Sequence, residues 1–210
     1  MVNRKSMSPV LSAIILAAAI IAVGVIVLMW ISGHSSMVIK QSQIDLLRSE
    51  QAAKENLVIV HVTYNASQSK VIMYLLNMGY NKIFLGPIRI KELRSTDYED
   101  IFTPDGIWFG NNYTVKVVVD STESNPSPLT MNIGGLSEYL ENLEIRDPSA
   151  ITDEINAYIL EPYNEINGYY KVEIPATLDQ DSTYSIEVWT IVNIYNKAYL
   201  CKLYTAQLTT

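Results

Sequence analysis

The sequence predicts an α+β protein with a long N-terminal hydrophobic helix followed by an antiparallel β-sandwich-like head with one or two short helical insertions. Two observations carry this prediction. Residues 10–31, VLSAIILAAAIIAVGVIVLMWI, contain no charged side chain, and only Ser12 and Gly24 among them are not clearly apolar. From Leu57 onward the apolar residues instead recur at every second position. An unbroken apolar run of this length indicates a membrane-spanning helix, and a period of two indicates strands.

The apolar run also predicts how the chain is oriented in a membrane. Its 22 residues would form a helix about 33 Å long at about 1.5 Å per residue, which matches a hydrocarbon core of about 30 Å. Because Arg4 and Lys5 precede the run, we expect a cytoplasmic N-terminus and a chain that lies outside the membrane after about residue 35. The alternatives are a plain signal anchor and a cleaved secretory signal. The run is longer than a usual signal core, and Ser32-Gly33-His34 fits a small-x-small cleavage site only loosely.

The stretch RKSMSPVLSAIILAAAIIAVG, residues 4–24, resembles the N-terminus of archaeal type IV pilin-like proteins, the group that includes archaellins and adhesion pilins. The resemblance implies a class III signal peptide, residues 1–6, which a prepilin peptidase removes by cutting between Ser6 and Met7, before the apolar helix. The family usually has glycine or alanine before the cut, so Ser6 departs from its pattern. The resemblance assigns peptidase recognition to Arg4, Lys5, Ser6, Met7, Ser8 and Pro9.

After the leader, the chain is predicted to divide into a helical stalk, residues 7–56, and an extracellular β-rich head, residues 57–210. Residues 35–56 contain no proline or glycine, and their composition favours an amphipathic continuation of the helix. The alternative is that the first helix ends at Ser32 and a second begins at Ser35 or Ser36. The head is long enough to bury a core of its own, so we expect it to fold without the helix.

Strands are predicted from the alternation of apolar and polar residues in the head. The seven predicted strands cover residues 57–65, 70–80, 82–94, 113–121, 169–176, 183–195 and 197–208. The third is interrupted at Gly86-Pro87, which indicates a bulge or a sheet edge. Strict alternation predicts two faces for the first strand. One face carries Leu57, Ile59, His61 and Thr63, and the other carries Val58, Val60, Val62 and Tyr64. Turns about every ten residues are typical of an antiparallel sandwich.

The region 121–167 fits this alternation less well. Asn125-Pro126-Ser127-Pro128 is predicted to be a loop. Two groups of apolar residues have helical spacing and predict the one or two short helices: Leu136, Tyr139, Leu140 and Leu143, and then Ile151, Ile155 and Ile159.

Composition and motifs argue against catalysis and against nucleic-acid binding. The formal charge is −7, and residues 57–210 carry ten Lys/Arg and nineteen Asp/Glu, a net −9. Phosphate binding needs clustered basic residues, so no nucleic-acid partner is expected. No catalytic, phosphate-binding or metal-spacing motif occurs, and His34 and His61 lie far apart in sequence. We expect no enzyme activity, no cofactor and no metal.

Several residue groups have a plain structural interpretation beside a functional one. The acidic residues of 97–105, and Asp179 with Asp181, fit solvated loops better than calcium sites. Cys201, the single cysteine, is predicted to be a small buried strand residue rather than a reactive thiol. The fourteen tyrosines fit half-buried strand positions better than a sugar- or surface-binding face. Asn65 and Asn112 begin N-x-S/T tripeptides and are candidate N-glycosylation sites.

The resemblance implies that the chain is a structural subunit of an archaeal extracellular filament, made for surface adhesion. It implies copies of the same chain, prepilin peptidase, a membrane assembly platform and, before assembly, membrane lipid as partners. The subunit is expected in the cell membrane as a precursor and afterwards in the filament. The alternatives are a single-pass membrane-anchored binding module, a minor pilin, or an archaellin for motility. The residues predicted to pack the filament core are Val10, Leu11, Ile14, Ile15, Leu16, Ala18, Ile21, Gly24, Val25 and Leu28.

Overall fold

The computed structural model of the chain describes residues 9–93, 107–109, 111–143, 145, 152–164 and 166–210. Helix α1 runs without interruption over Pro9–Lys54. The predicted helical continuation is therefore confirmed, and the alternative break at Ser32 is wrong. Proline at the first position costs no hydrogen bond, because the N–H groups of a first helical turn have no partner within the helix. The chain forms two compact units, one ending at Leu46 and the other spanning Leu47–Thr210, so the last turns of α1 belong to the second unit.

The second unit contains eleven strands and one short helix in the described part of the chain. In chain order these are β1 Leu57–Asn65, β2 Lys70–Asn77, β3 Ile83–Leu93, β4 Ile107–Phe109, β5 Thr114–Val119, β6 Thr122–Ser124, β7 Leu129–Ile133, α2 Leu136–Asn142, β8 Glu154–Leu160, β9 Tyr169–Pro175, β10 Thr183–Ile194 and β11 Lys197–Thr209. All seven predicted strands are present, as is the loop at 125–128, and β4, β6, β7 and β8 are additional. The α+β fold class is confirmed.

The second predicted helix is wrong where the structure describes it. Ile155 and Ile159 lie in strand β8, and Ile151 lies outside the described residues. Ala157, between them, is fully buried, as is Ile155. A small alanine at an inward strand position hid the period of two, so the larger isoleucines showed only a spacing of four. The first predicted helix is confirmed as α2, whose Tyr139 side chain is buried.

The strands form two sheets. One has the order β1-β2-β9-β5-β6 and is antiparallel throughout. In the other, β10 pairs with both β11 and β3, and the pairings β3–β8, β8–β7 and β7–β11 complete a closed ring of five strands, with β4 added to β3. The β7–β11 pairing is parallel, joining Lys197 to Asn132 and Ala198 to Ile133. The second sheet is thus mixed, whereas the sequence predicted an all-antiparallel head.

Among the described residues, two hydrophobic clusters form the core of this unit. The larger contains inward residues of both sheets, among them Met73, Leu85, Val172 and Ile186. The smaller gathers around Tyr139 of α2 and includes residues from four strands of the ring: Met131, Ile155, Ala157, Ile191, Ala198 and Leu200. Helix α2 thus buries the Tyr139 ring against the closed ring of strands, which includes β7 and β8, the strands that flank α2 in sequence.

In the described part of the chain, three β-bulges interrupt the regular pairing. The register of β3 against β10 shifts at Gly86-Pro87, which confirms the predicted bulge. A Cβ on Gly86 would lie 2.6 Å from Cγ2 of Ile191, so only glycine fits this approach. The register of β11 against β10 shifts opposite Thr190, and that of β1 against β2 shifts between Ile59 and His61.

The bulge in β1 makes the predicted faces of that strand wrong beyond Ile59. Val60 is the extra residue, so His61 pairs with Tyr74 and Val62 pairs with the buried Met73. The side of β1 that packs against the larger core carries Leu57, Ile59, Val62 and Tyr64. One added residue moves every later side chain to the opposite face, because side chains of a strand alternate with a period of two.

Candidate functional site

The apolar segment of α1 is exposed wherever its side chains are described. Every described side chain from Leu11 to Gln43 is exposed, including the largest apolar ones, such as Leu28, Met29 and Trp30. The helix is long and apolar enough to cross a membrane, by length and composition. Helical backbone satisfies its own hydrogen bonds, which a lipid environment requires. The N-terminal helix can therefore serve as a membrane anchor.

The residues predicted to pack a filament core lie along this segment. At about 100° per residue, nine of the ten fall on one half of the helix circumference, and Leu16 falls on the other. The opposite half is equally apolar, since it carries Ile20, Val27 and Ile31. Gly24 has no neighbouring atom within 4 Å of the position that a Cβ would take, so another helix has room to approach there. The side chain of Val10 lies outside the described part.

The residues predicted for recognition by a leader peptidase lie almost entirely outside the described residues. Of Arg4, Lys5, Ser6, Met7, Ser8 and Pro9, only Pro9 is described, and it is the first residue of α1. The predicted cut between Ser6 and Met7 therefore stays a prediction.

The last turns of α1 are bonded to the strands and to α2 within the second unit. The Arg48 guanidinium donates two hydrogen bonds to the Glu138 carboxylate of α2, at 3.2 and 2.5 Å. Gln51 Nε2 donates to the backbone oxygen of Lys82 at 3.4 Å. The Cys201 thiol of β11 donates to the backbone oxygen of Arg48 at 3.6 Å. Since these bonds involve backbone as well as side-chain groups, they fix the last turns of α1 against α2 and the strands of the second unit, to which these turns belong.

Glu55, directly after α1, places a carboxyl group in the interior. It is only 4% exposed and accepts a 2.6 Å hydrogen bond from Thr190 Oγ1 of β10. Lys202 Nζ donates to the backbone oxygen of Glu55 at 3.3 Å. Burial raises the pKa of Glu55, and the bonds from Thr190 and Gln51 offset only part of that rise. Sequence reasoning missed this contact, because a glutamate after a helix looks the same whether it is buried or solvated.

The two candidate glycosylation sites lie at strand ends. Asn65 ends β1, and its Oδ1 accepts hydrogen bonds from Ser67 Oγ at 2.7 Å and from the Gln68 amide at 3.3 Å. Asn112 is exposed and precedes β5. The tyrosine after it, Tyr113, is buried and donates to the backbone oxygen of Gly86 at 2.8 Å. Asn112 is thus the more accessible acceptor, on a backbone that its buried neighbour holds in place.

The remaining candidates show no reactive or metal-binding arrangement where the structure describes them. No group of three or more His, Cys, Asp or Glu side chains among the described residues is placed to hold a metal ion. Asp179 and Asp181 are exposed, and the acidic residues of 97–105 lie outside the described residues. Cys201 is half-buried in β11, and burial raises the pKa of its thiol to about 12. A thiol that stays protonated is a poor nucleophile. The predicted strand position of Cys201 is confirmed, but its side chain is half-buried and not fully buried.

Comparison with known proteins places the chain in no family. No protein-family model and no curated protein matches it. Among solved structures it is similar to Astrotactin-2, described as a conserved vertebrate-specific and perforin-like membrane protein involved in neuronal development, with 12% identity and a TM-score of 0.33. The match covers 74% of this chain and 22% of that chain. A likeness of this size carries no argument about fold or function.

Proposed function

We propose that this chain is a structural subunit of an archaeal extracellular type IV pilus-like filament, assembled through its N-terminal helix and used for surface adhesion. The observation that carries the proposal is the uniform apolarity of residues 10–31, exposed where described and carrying no charge on any side. The leader-like residues Arg4 to Pro9 support it through their resemblance to pilin precursors. The role is non-catalytic, since recognition and packing are all that it requires.

The energetics of the helix favour two successive environments. Each large apolar side chain gains about 1.5–3 kcal/mol when it leaves water, so releasing this helix into water would cost tens of kcal/mol. A subunit therefore leaves lipid only if other helices bury the same surface. A bundle of helices from many copies does so on all sides, and small residues such as Ala18 and Gly24 permit close approach.

A membrane-anchored binding module or minor pilin is the second candidate. The helix alone is sufficient for an anchor, because its apolar run, residues 10–31, matches the hydrocarbon core in length and its last turns are bonded to α2 and β11. The two candidates differ in whether the protein leaves the membrane as a polymer.

Electron microscopy of cell-surface filaments, combined with mass spectrometry of the purified filament subunit, tests the proposal. We expect filaments that contain this chain with Met7 as the mature N-terminus. An N-terminus at Met1, or one near Ser35, would remove the pilin interpretation. A subunit with the Met7 terminus that occurs only in the membrane fraction would favour the anchored module.

A further inference from the structure

The outer face of the β1-β2-β9 sheet carries a small pocket walled by aromatic rings. We call it the aromatic pocket; it has a volume of about 250 Å³ and is formed by Val60, His61, Tyr74, Leu76, Tyr163 and Tyr169. The His61 and Tyr74 rings are stacked, with centroids 6.3 Å apart and planes inclined by 22°. Tyr169 meets Tyr74 edge to face at 5.8 Å. The pocket exists because the β1 bulge turns His61 onto the same face as Tyr74.

The polar atoms of these rings are not used within the described part of the chain. The hydroxyl groups of Tyr74, Tyr163 and Tyr169 and the ring nitrogens of His61 make no hydrogen bond or ion pair there. Two buried tyrosines elsewhere, Tyr113 and Tyr170, do use their hydroxyl groups in hydrogen bonds, whereas the buried hydroxyl of Tyr139 has no partner in the described part of the chain. A purely apolar occupant would cover these groups without pairing them, which is unfavourable. The occupant must therefore offer both a flat apolar surface and several hydrogen-bonding groups.

Charge narrows the class of occupant further. None of the six residues that form the pocket is an acid, a lysine or an arginine. The nearest lysine in register, Lys171 opposite Tyr74, is already bonded to Glu123 at 2.9 Å and to Glu173 at 3.2 Å. Among these lining residues of the described chain, an anionic ligand would find no lysine or arginine, and a cationic ligand would find no carboxylate. The occupant that complements this surface is uncharged.

We propose that the aromatic pocket binds a neutral sugar ring, with one C–H face of the pyranose against Tyr74 and its hydroxyl groups bonded to the phenol and imidazole groups around it. A pyranose combines an apolar face with a rim of hydroxyl groups, which is the pairing of chemistries that the pocket offers. The proposal goes beyond the filament role and does not depend on it, because binding requires only the folded second unit.

The test uses the full chain, produced in a host that does not glycosylate it and held in a sugar-free detergent. The probes are the methyl glycosides of glucose, mannose and galactose and free N-acetylglucosamine, measured by saturation-transfer nuclear magnetic resonance. We expect at least one to bind with a Kd of about 1 mM, with saturation concentrated on the ring C–H protons. Tyr74→Ala should weaken binding about tenfold, the loss expected for one stacking partner.

Two further variants keep the test decisive. Val60 is 56% exposed at the rim, so Val60→Glu should block the pocket without affecting the core. Tyr195→Asn removes a tyrosine that is 76% exposed in the β10–β11 turn, outside the pocket, where asparagine tolerates the positive φ of 53°, and it should leave binding unchanged. The proposal is overturned if no sugar binds at about 50 mM, far above the expected Kd. It is equally overturned if all variants bind alike, or if Val60→Glu changes only self-association, which would make the pocket a contact between copies of the chain.

Discussion

Thr190 Oγ1 donates a hydrogen bond of 2.6 Å to Oε2 of Glu55, and both side chains are buried. The same hydroxyl oxygen accepts from the Lys202 amide at 3.2 Å, at the point where β11 bulges away from regular pairing with β10. The residue that follows α1 is thereby bonded to the middle of the longest hairpin. A bulge leaves backbone groups without regular partners in the sheet, and the Thr190 hydroxyl serves as the partner of one such group, the Lys202 amide.

The first prediction concerns the pH dependence that Glu55 introduces. Burial raises the pKa of Glu55 above 4.5 in the folded protein. At a pH between the unfolded and the folded pKa values, the folded state therefore holds a proton that the unfolded state has released. The stabilisation is complete below about pH 4.5, the value in the unfolded chain, and is lost as the pH rises through the higher folded value. Glu55→Gln, which keeps the size and hydrogen-bonding groups, should remove this loss and raise the free energy of unfolding at pH 7 relative to wild type.

The free energy of unfolding of Glu55→Gln and of wild type is measured across a pH series, by urea unfolding of the full chain in micelles followed by near-ultraviolet circular dichroism. The titratable groups that act on Glu55 are Lys202 and Cys201, and Arg48 acts in turn on Cys201; all three are unchanged in the variant. Glu50→Gln, at an exposed pair with Lys54, is the control. A difference between Glu55→Gln and wild type that does not grow with pH would contradict the prediction.

The second prediction has the opposite sign and concerns Glu173 of β9. Burial of its carboxyl group opposes ionisation, but hydrogen bonds from Lys116, Lys171 and Lys70 outweigh it and lower the pKa of Glu173 to about 2. The nitrogen–oxygen distances are 3.1, 3.2 and 3.2 Å. The lowered pKa means that ionised Glu173 stabilises the folded state above about pH 4.5, and this stabilisation is lost as the pH falls toward 2.

Glu173→Gln should therefore lower the free energy of unfolding by about 1 kcal/mol at pH 7, after allowance for solvent screening of the partly exposed lysines. The two proteins should converge in stability as the pH approaches 2. Acid titration of the near-ultraviolet signal tests this, and 1 M salt should reduce the difference at neutral pH because it screens such pairs. Equal acid sensitivity of both proteins would show that the lysines do not act on Glu173.

The third prediction compares two buried tyrosines. The Tyr113 hydroxyl donates to the backbone oxygen of Gly86 at 2.8 Å, whereas the Tyr139 hydroxyl is buried without a hydrogen-bond partner in the described part of the chain. Tyr113→Phe should lower the free energy of unfolding by about 1–3 kcal/mol, since it leaves a buried carbonyl unpaired. Tyr139→Phe should raise it by about 1 kcal/mol, since it removes an unpaired polar group. The same urea series measures both, and a loss of stability in Tyr139→Phe would indicate a bound water or an unseen partner.

Most of the secondary structure could be predicted from periodicity, and the exceptions have physical causes. The apolar run, the alternation in β2, β9, β10 and β11, and the glycine–proline bulge of β3 are local signals, visible in one short window. Strand β8 was missed because the small side chain of Ala157, although fully buried, obscured the alternation of apolar and polar residues in that strand. The closed ring of strands depends on pairings between residues such as Ala198 and Ile133, which no local pattern reveals.

The functional surfaces of the second unit were less predictable still. The aromatic pocket depends on one extra residue, Val60, which places His61 beside Tyr74. Strict alternation placed His61 on the same face of β1 as Leu57 and Ile59, so no cluster of aromatic side chains was predicted around Tyr74. The Glu55–Thr190 bond joins residues 135 positions apart, and nothing local to either residue marks it. A bulge and a long-range contact are both set by tertiary packing rather than by local propensity.

The last prediction concerns Ala18 in the apolar helix and tests assembly separately from folding. In a filament core, a small residue lets neighbouring helices approach closely, and a larger one forces them apart at a cost of about 1–3 kcal/mol for each contact. Ala18→Leu remains fully apolar, so membrane insertion should be unchanged, while the cost repeats in every subunit. We expect about a tenfold or greater loss of surface filaments, counted by electron microscopy, with normal amounts of protein in the membrane fraction.

Two companion variants define what the Ala18→Leu result means. Ile20→Leu conserves volume at an exposed position and should assemble normally. Ala18→Lys places an unpaired charge in the same packed environment and should abolish filaments, although it also hinders insertion, which makes Ala18→Leu the cleaner test. The circular dichroism of the second unit should be the same in all of them, because Ala18 lies in the first unit and belongs to neither hydrophobic cluster of the second. If Ala18→Leu and Ala18→Lys both give normal filaments, or if the wild-type chain never leaves the membrane as a polymer, the helix is an anchor and the membrane-bound binding module becomes the better account.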